Sequence, residues 1–424
     1  MKKLLSVLLA LAMLATLPVF ASADEEVVVK FWYSFEEQMR PDIMAVIEEF
    51  EKANPGIKVD PSYGGSYSEC NQKLLAAHAA NEVPAVQQTV QTSLATFAEN
   101  GVLEPLDKYI EAEGADMSIY AKGMYEAYAY NGQQYGLPAF CSVCPTMYYN
   151  KTFADAEGIE IPKTWDEFDA FLRKATIKDA NGNTTRYGAS FAGWGSSYYG
   201  PLFWQNGVEA FLDEDKTQTG LGSDKAIAVI KMIKGWVDEG LVKWCYGTNA
   251  STNMRQSLIE GTSFSVFHTC AVYSVYQPGL AANGWEVGVA FPPAGEKSIA
   301  DLGGSGLTIM AKASEAEKEA AYKLIRWLTQ PEANLVIIKA TGYMPVTTTC
   351  LESEGCKEWV ELNPELQNLY DHMNEVYASP SHVAWSDIGT KWQDHLAQIF
   401  NEGADVEATV KDMCAAINEI LADF

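Results

Sequence analysis

Apolar and polar positions along this chain follow two periods, and the switches between them mark out its elements. Val27 to Trp32 form an apolar, β-prone run that predicts a strand. A helix is expected from Pro41, a favourable first-turn residue, with Ile43, Val46, Ile47 and Phe50 on one face. Asn54-Pro55-Gly56 stops that run before the short strand Ile57-Lys58-Val59, which makes a βαβ opening. The pattern recurs. Thr164 with Glu167 spells a capping box ahead of Phe168, Phe171 and Leu172, and Ser314 with Glu317 spells another ahead of Tyr322, Leu324, Ile325 and Leu328. Ser223 caps a helix through Ile227, Ile230, Ile233 and Val237 that ends at Gly240. Alternating strands and helices predict α/β layers with parallel pairing, where ligands sit at the carboxyl ends of strands.

At the amino end the pattern is of another kind. Lys2 and Lys3 precede an apolar run from Leu4 to Leu17, followed by Ala21-Ser22-Ala23. That order reads as a cleaved export signal over residues 1–23, with a mature chain beginning near Asp24 in the periplasm, at the cell surface or in the medium. The run is too short for a lasting membrane span. Since the first cysteine is Cys70, a lipid anchor at the cleavage point is not expected.

The remaining length exceeds what one core usually supports, so two lobes are expected. Punctuation at Leu137-Pro138-Ala139-Phe140 and at Phe291-Pro292-Pro293-Ala294-Gly295 suggests where the chain passes between them. On that reading residues 24–138 and 292–345 form an N-terminal lobe, and 139–291 and 346–424 a C-terminal lobe. Three crossings would then act as a hinge.

A formal net charge of -26 repels nucleic acid and anionic lipid, although acidic surfaces serve dispersal first. Eight cysteines leave the pairing open; Cys350 and Cys356 are close enough to bond, and Cys141-Ser142-Val143-Cys144 suits a local disulfide or two packed thiols better than a redox site. The five histidines form no metal-ligand spacing, and neither a nucleophile elbow, a phosphate loop nor a dinucleotide fingerprint occurs. No catalytic residue, metal or cofactor is therefore nominated. A secreted glycoside hydrolase working with two of the many carboxylates is a minor alternative.

Aromatic residues in turn-rich segments carry the positive signal. Phe31-Trp32-Tyr33-Ser34 closes the first strand, Tyr63-Gly64-Gly65-Ser66-Tyr67 follows the second, and Trp194 lies between Gly193 and Gly195 ahead of Trp204. Flat rings beside small residues can stack on the C–H face of a sugar while nearby hydroxyls and amides take its OH groups. Tyr67 and Trp194 favour contact, whereas Trp32 and Trp204 suit core packing equally well.

Phe31-Trp32-Tyr33-Ser34, Ala53-Asn54-Pro55-Gly56-Ile57-Lys58-Val59, Tyr148-Tyr149-Asn150-Lys151, Pro162-Lys163-Thr164-Trp165, Gly303-Gly304 and Thr341-Gly342-Tyr343-Met344-Pro345-Val346 occur in an order that resembles the family 1 extracellular solute-binding proteins of ABC importers. The resemblance is nearest to the glycerol-phosphate-binding and sugar-binding branches of that family. It implies a two-lobed, type II clamshell fold of the periplasmic-binding-protein kind with discontinuous lobes, acting as a monomer that delivers one solute to a membrane permease. Ligand contacts implied by the resemblance fall on Tyr67, Gln91, Ser142, Thr269 or Cys270, Gly304 and Tyr343, with stacking by Trp194; Tyr33 joins the candidates through its aromatic run. The phosphate-gripping arginine of those relatives has no counterpart, Ser386-Asp387-Ile388-Gly389-Thr390 standing in its place, and a glutamate there is Gln91 here. Loss of a bidentate donor and of a charge turns the expectation from glycerol phosphate to a neutral carbohydrate. A glycerophosphodiester held by Arg255 or Lys391 is the alternative.

Overall fold

The computed structural model describes residues 26–424 except 36, 194–195 and 381. Strand β1 (Val27–Tyr33) alternates, burying Val29, Phe31 and Tyr33. Helix α1 (Arg40–Ala53) starts one residue before Pro41 and buries Ile43, Val46, Ile47 and Phe50, the four positions its spacing singles out. Strand β2 (Ile57–Tyr63) runs parallel to β1, with Val27 opposite Ile57 and Tyr33 opposite Tyr63. Next comes α2 (Tyr67–Ala80), whose N-cap Ser66 exchanges hydrogen bonds with Glu69 in a full capping box. Strand β3 (Val86–Thr89) is buried throughout.

Strand β4 (Gly136–Cys144) ends the first pass through this region, and β5 (Thr146–Asn150) opens the second sheet. The crossing therefore lies at Cys144–Pro145, beyond the Leu137–Phe140 segment. The second sheet adds α3 (Trp165–Ala175), β6 (Thr184–Ala192), α4 (Asp224–Asp238), β7 (Val242–Cys245), β8 (Ser263–His268) and β9 (Val287–Ala290). The chain then returns through β10 (Ala300–Ile309), α5 (Glu315–Leu328), α6 (Pro331–Thr341) and β11 (Val376–Tyr377), and ends in α7 (Trp385–Glu402) and α8 (Val406–Leu421). Thr164 and Ser314 each close the box their sequence spells, and Ser223 caps α4.

The main strands of the first sheet run β11–β10–β3–β1–β2 with β4 also on β10, and those of the second run β7–β6–β8–β5–β9. In each, a parallel set meets strands running the other way: β10 is antiparallel to β3 and β4, and β5 is antiparallel to β8 and β9. One core gathers Phe31, Phe50, Leu74, Phe140, Leu302 and Ile325; another gathers Phe168, Phe191, Trp236, Phe264 and Trp392. The first continues across one face of the second sheet through Tyr148, Tyr276 and Leu280, so apolar packing joins the two halves. Polar ties add to it: Thr96 Oγ1 donates to Val383 O at 2.9 Å, and Gln205 Nε2 to Ile299 O at 2.6 Å.

Candidate functional site

Parallel strands aim their carboxyl ends the same way, and the segments that leave those ends converge here. Ser34 and Phe35 follow β1, Val90 to Thr92 follow β3, and Thr269, Ala271 and Val272 follow β8; all line one cavity of about 340 Å³. Ser142 and Cys144 reach it from β4, Leu302 to Gly304 from β10, Tyr67 from the first turn of α2, and Tyr343 from the turn after α6. Both sheets thus furnish walls. The volume falls in the range that small-molecule sites occupy, roughly 300–1,000 Å³.

No carboxylate, ammonium, guanidinium or imidazole is among the described residues that line this cavity. Its polar groups are hydroxyls and an amide. Gln91 is 93% withdrawn from solvent, being 7% exposed, and its Nε2 donates to Leu302 O at 3.4 Å. Thr269 caps the short turn after β8 by accepting from Ala271 N–H at 3.3 Å. Tyr343 packs edge-on against Phe140, and burial, reinforced by the Tyr67 phenol, holds its own hydroxyl well above the usual titration range, so it stays neutral.

Ser142 stands apart from these. Its side chain is fully buried, yet its Oγ has no hydrogen-bond partner among the described residues. An unpaired buried hydroxyl costs about 1–3 kcal/mol, so a fold that keeps one at a cavity wall has it available for something else. Gly303 lets it stay open: a Cβ there would come within 2.5 Å of Ser142 Oγ. Gly304 is glycine for a different reason. Its φ is +81°, and a Cβ would meet Phe140 O at 1.9 Å, where the β10–β4 register shifts at Ser305/Gly306.

Of the residues nominated from sequence, Tyr67, Gln91, Ser142, Thr269, Gly304 and Tyr343 share the cavity. Tyr33 does not line it: strand alternation turns the ring inward with Val29 and Phe31, where it stacks on Phe35 at 5.0 Å. Cys270 sits behind the wall instead, accepting from Val143 N–H through Sγ, with burial raising its thiol to about 12. Trp194 lies outside the described residues. Trp204 packs against Trp392 at 6.1 Å, and neither Arg255 nor Lys391 reaches the cavity. Ser34, Phe35, Met39, Thr92, Val272 and Leu302 line it without having been singled out; only folding brings them together. All eight cysteines carry free thiols, and that of Cys350 donates to Pro331 O at 3.7 Å.

A larger groove of about 1000 Å³ runs along β9, past Lys151, Lys163, Trp285, Glu365 and His372. Its lysine at 151 is already paired with Asp155 and Glu286, and the first sheet contributes no wall. The smaller cavity is the better functional candidate on both counts.

A cavity walled by two linked sheets, lined by neutral hydrogen-bonding groups, defines a protein that encloses a small solute. Residues 45–365 match the family described as bacterial extracellular solute-binding protein, and this chain belongs to that family. Among its relatives, the sn-glycerol-3-phosphate-binding periplasmic protein UgpB of Yersinia pestis bv. Antiqua (strain Antiqua) is 24% identical over 370 residues, 82% of this chain and 81% of that protein. Among solved structures, the ABC substrate-binding protein Lmo0181 of Listeria monocytogenes, in complex with cycloalternan, has a TM-score of 0.80 at 21% identity, covering 94% of this chain and 100% of that one. UgpB of Mycobacterium tuberculosis, in complex with glycerophosphocholine, has a TM-score of 0.78 at 24% identity, covering 93% and 98%. The fold is thus the two-lobed one of periplasmic binding proteins. The family is extracellular, and no helix among the described residues is long and apolar enough to cross a membrane.

Proposed function

We propose that this protein is the extracytoplasmic subunit of an ABC importer that captures a neutral carbohydrate between its lobes and hands it to the permease. The observation that carries the reading is the wall chemistry: hydroxyls, an amide and aromatic rings, with the unpaired Ser142 hydroxyl among them and no charged side chain among the described residues that line it. Sugar hydroxyls both give and receive hydrogen bonds, which suits Gln91, Ser142, Thr269 and Tyr67, while the Tyr67, Tyr343 and Phe35 rings offer apolar surface to its C–H faces. Walls drawn from both sheets make the closed form bind better than the open one, so the solute shifts the hinge equilibrium toward closure.

A phosphate ester, the cargo named for the UgpB relatives, would bring its charge into a cavity whose described lining residues include no cation, a cost of several kcal/mol. The test is a thermal-shift and calorimetric panel of neutral mono- and oligosaccharides set beside glycerol 3-phosphate and glycerophosphocholine. Binding of at least one neutral saccharide is expected. Binding confined to the phosphate esters would overturn the reading.

A further inference from the structure

Eight thiols in a family that works outside the cytoplasm, where disulfides form and persist, raise the question of which the fold can join. Cys141 and Cys144 fail on length. Three steps along the extended strand β4 separate their Cα atoms by about 10 Å, beyond the ~7 Å that a disulfide spans. Cys350 and Cys356 are placed differently. Cys350 lies in the short helix Thr348–Leu351 and Cys356 in the first turn of the next, Glu354–Leu362. Ser353 between them binds both backbones: its Oγ donates to Cys350 O at 2.7 Å and accepts the Cys356 N–H at 3.2 Å, so a single hydroxyl spans the gap.

Both side chains are fully buried where these helices meet α6. The Cys350 thiol donates to Pro331 O, at the start of α6, and the turn that carries Cys356 lies so close that a Cβ on Gly355 would come within 2.5 Å of Leu335 Cδ2. The sulfurs also act on each other. The Cys356 thiol, ahead of burial, pushes Cys350 up, and Cys350, with Lys339 in support, draws Cys356 down.

We propose that Cys350 and Cys356 form a structural disulfide in the exported protein, a covalent staple across the turn between their helices. It sits near the beginning of α6, away from the cavity, and so does not depend on which solute the cavity holds. Because both sulfurs are sealed in the fold, the exchange belongs to the folding chain, before the helices close over them. Cys356, as thiolate, attacks one sulfur of a small disulfide such as oxidised glutathione, or of an exported disulfide-exchange protein, and the other sulfur leaves as a thiol once protonated. Cys350, deprotonated in turn, attacks Cys356 Sγ and expels the second thiol. Two protein S–H bonds and the oxidant's S–S bond are thereby exchanged for one protein S–S bond and two S–H bonds on the departing thiols. The oxidant gains the two electrons that the pair gives up.

One tryptic peptide, Ala340–Lys357, holds both cysteines, which makes the test direct. Secreted protein is denatured without reductant, alkylated with iodoacetamide, digested and weighed. The peptide should escape alkylation and appear two hydrogens lighter than its dithiol form. An alkylated Ala340–Lys357 peptide, or a disulfide joining two other cysteines in its place, overturns the proposal. Reduced protein refolded in a glutathione redox buffer gives the same reading without a secretion host, and a peptide that stays a dithiol there is equally decisive against it. Closing so short a loop should raise the midpoint of unfolding by about 3 °C over the reduced protein, and the difference should vanish in Cys356→Ala. Equal midpoints for the oxidised and reduced proteins, or a difference that persists in Cys356→Ala, would refute the staple.

Discussion

Ser142→Ala should move stability and binding in opposite directions, which few substitutions do. The hydroxyl is fully buried and unpartnered among the described residues, so the ligand-free protein carries a desolvation cost of about 1–3 kcal/mol that alanine removes. Loss of one oxygen's packing offsets part of that, leaving a net gain of about 1 kcal/mol. Unfolding entropy of about 2.1 cal/mol/K per residue over roughly 400 residues makes that gain worth about 1 °C in the midpoint of unfolding. With solute enclosed the sign reverses, because the serine hydroxyl then has a partner and the alanine does not; one lost hydrogen bond lowers affinity about three- to tenfold. Differential scanning calorimetry of both proteins, with and without a saturating neutral saccharide, shows both effects: a higher midpoint without sugar and a smaller sugar-induced rise. A midpoint that falls in the ligand-free variant, or an unchanged sugar-induced rise, would refute the assignment of Ser142 to the solute.

The neighbouring glycines should separate by mechanism. Gly304→Ala must fit a Cβ 1.9 Å from Phe140 O at a φ of +81°, and is expected to cost more than about 2 kcal/mol in denaturant melts. Gly303→Ala meets the Ser142 hydroxyl at 2.5 Å and the Cys144 Cβ at 3.0 Å first, so it should weaken saccharide binding in calorimetry more than it lowers the melting midpoint. Burial, helped by Arg255, holds the His268 imidazole down to about 3 from its ordinary 6.5, so the unfolded chain binds a proton that the folded one refuses. Its contribution is complete above pH 6.5 and lost at up to about 1.4 kcal/mol per pH unit below it, toward pH 3. Urea melts across that window should show a shallower slope in His268→Gln, and an equal slope would contradict the assignment. Cys414 alone among the eight thiols is partly exposed, so the reduced, folded protein should react rapidly with one equivalent of a disulfide reagent and with eight after unfolding.

What the sequence made legible was local. Capping boxes at Thr164 and Ser314 and the spacing of Ile43, Val46, Ile47 and Phe50 need only neighbours within one helix to act, and the structure realises each. The same box at Ser66 and Glu69 was equally readable, but Gly64-Gly65 disguised it as a turn and α2 buries few of its side chains, Cys70 and Leu74 among them. Tyr67 therefore looked like a loop residue, whereas it opens a helix. Tyr33 shows the reverse: its place in the alternation with Val29 and Phe31 marks it as inward-facing, a signal its aromatic company concealed. The insertion of β10 between β3 and β4 is a long-range pairing without a sequence signature, and it carries Leu302, Gly303 and Gly304 to the cavity.

On the proposed function, an uncharged, hydroxyl-rich molecule occupies the cavity between the two sheets. A crystal structure of the protein with the solute it retains through purification, identified by mass spectrometry, tests it most directly. The expected density is a saccharide with one oxygen within hydrogen-bond distance of Ser142 Oγ and another of the Tyr67 hydroxyl. A solute seated in the groove along β9, or a phosphate held by Arg255 or Lys391, would contradict it.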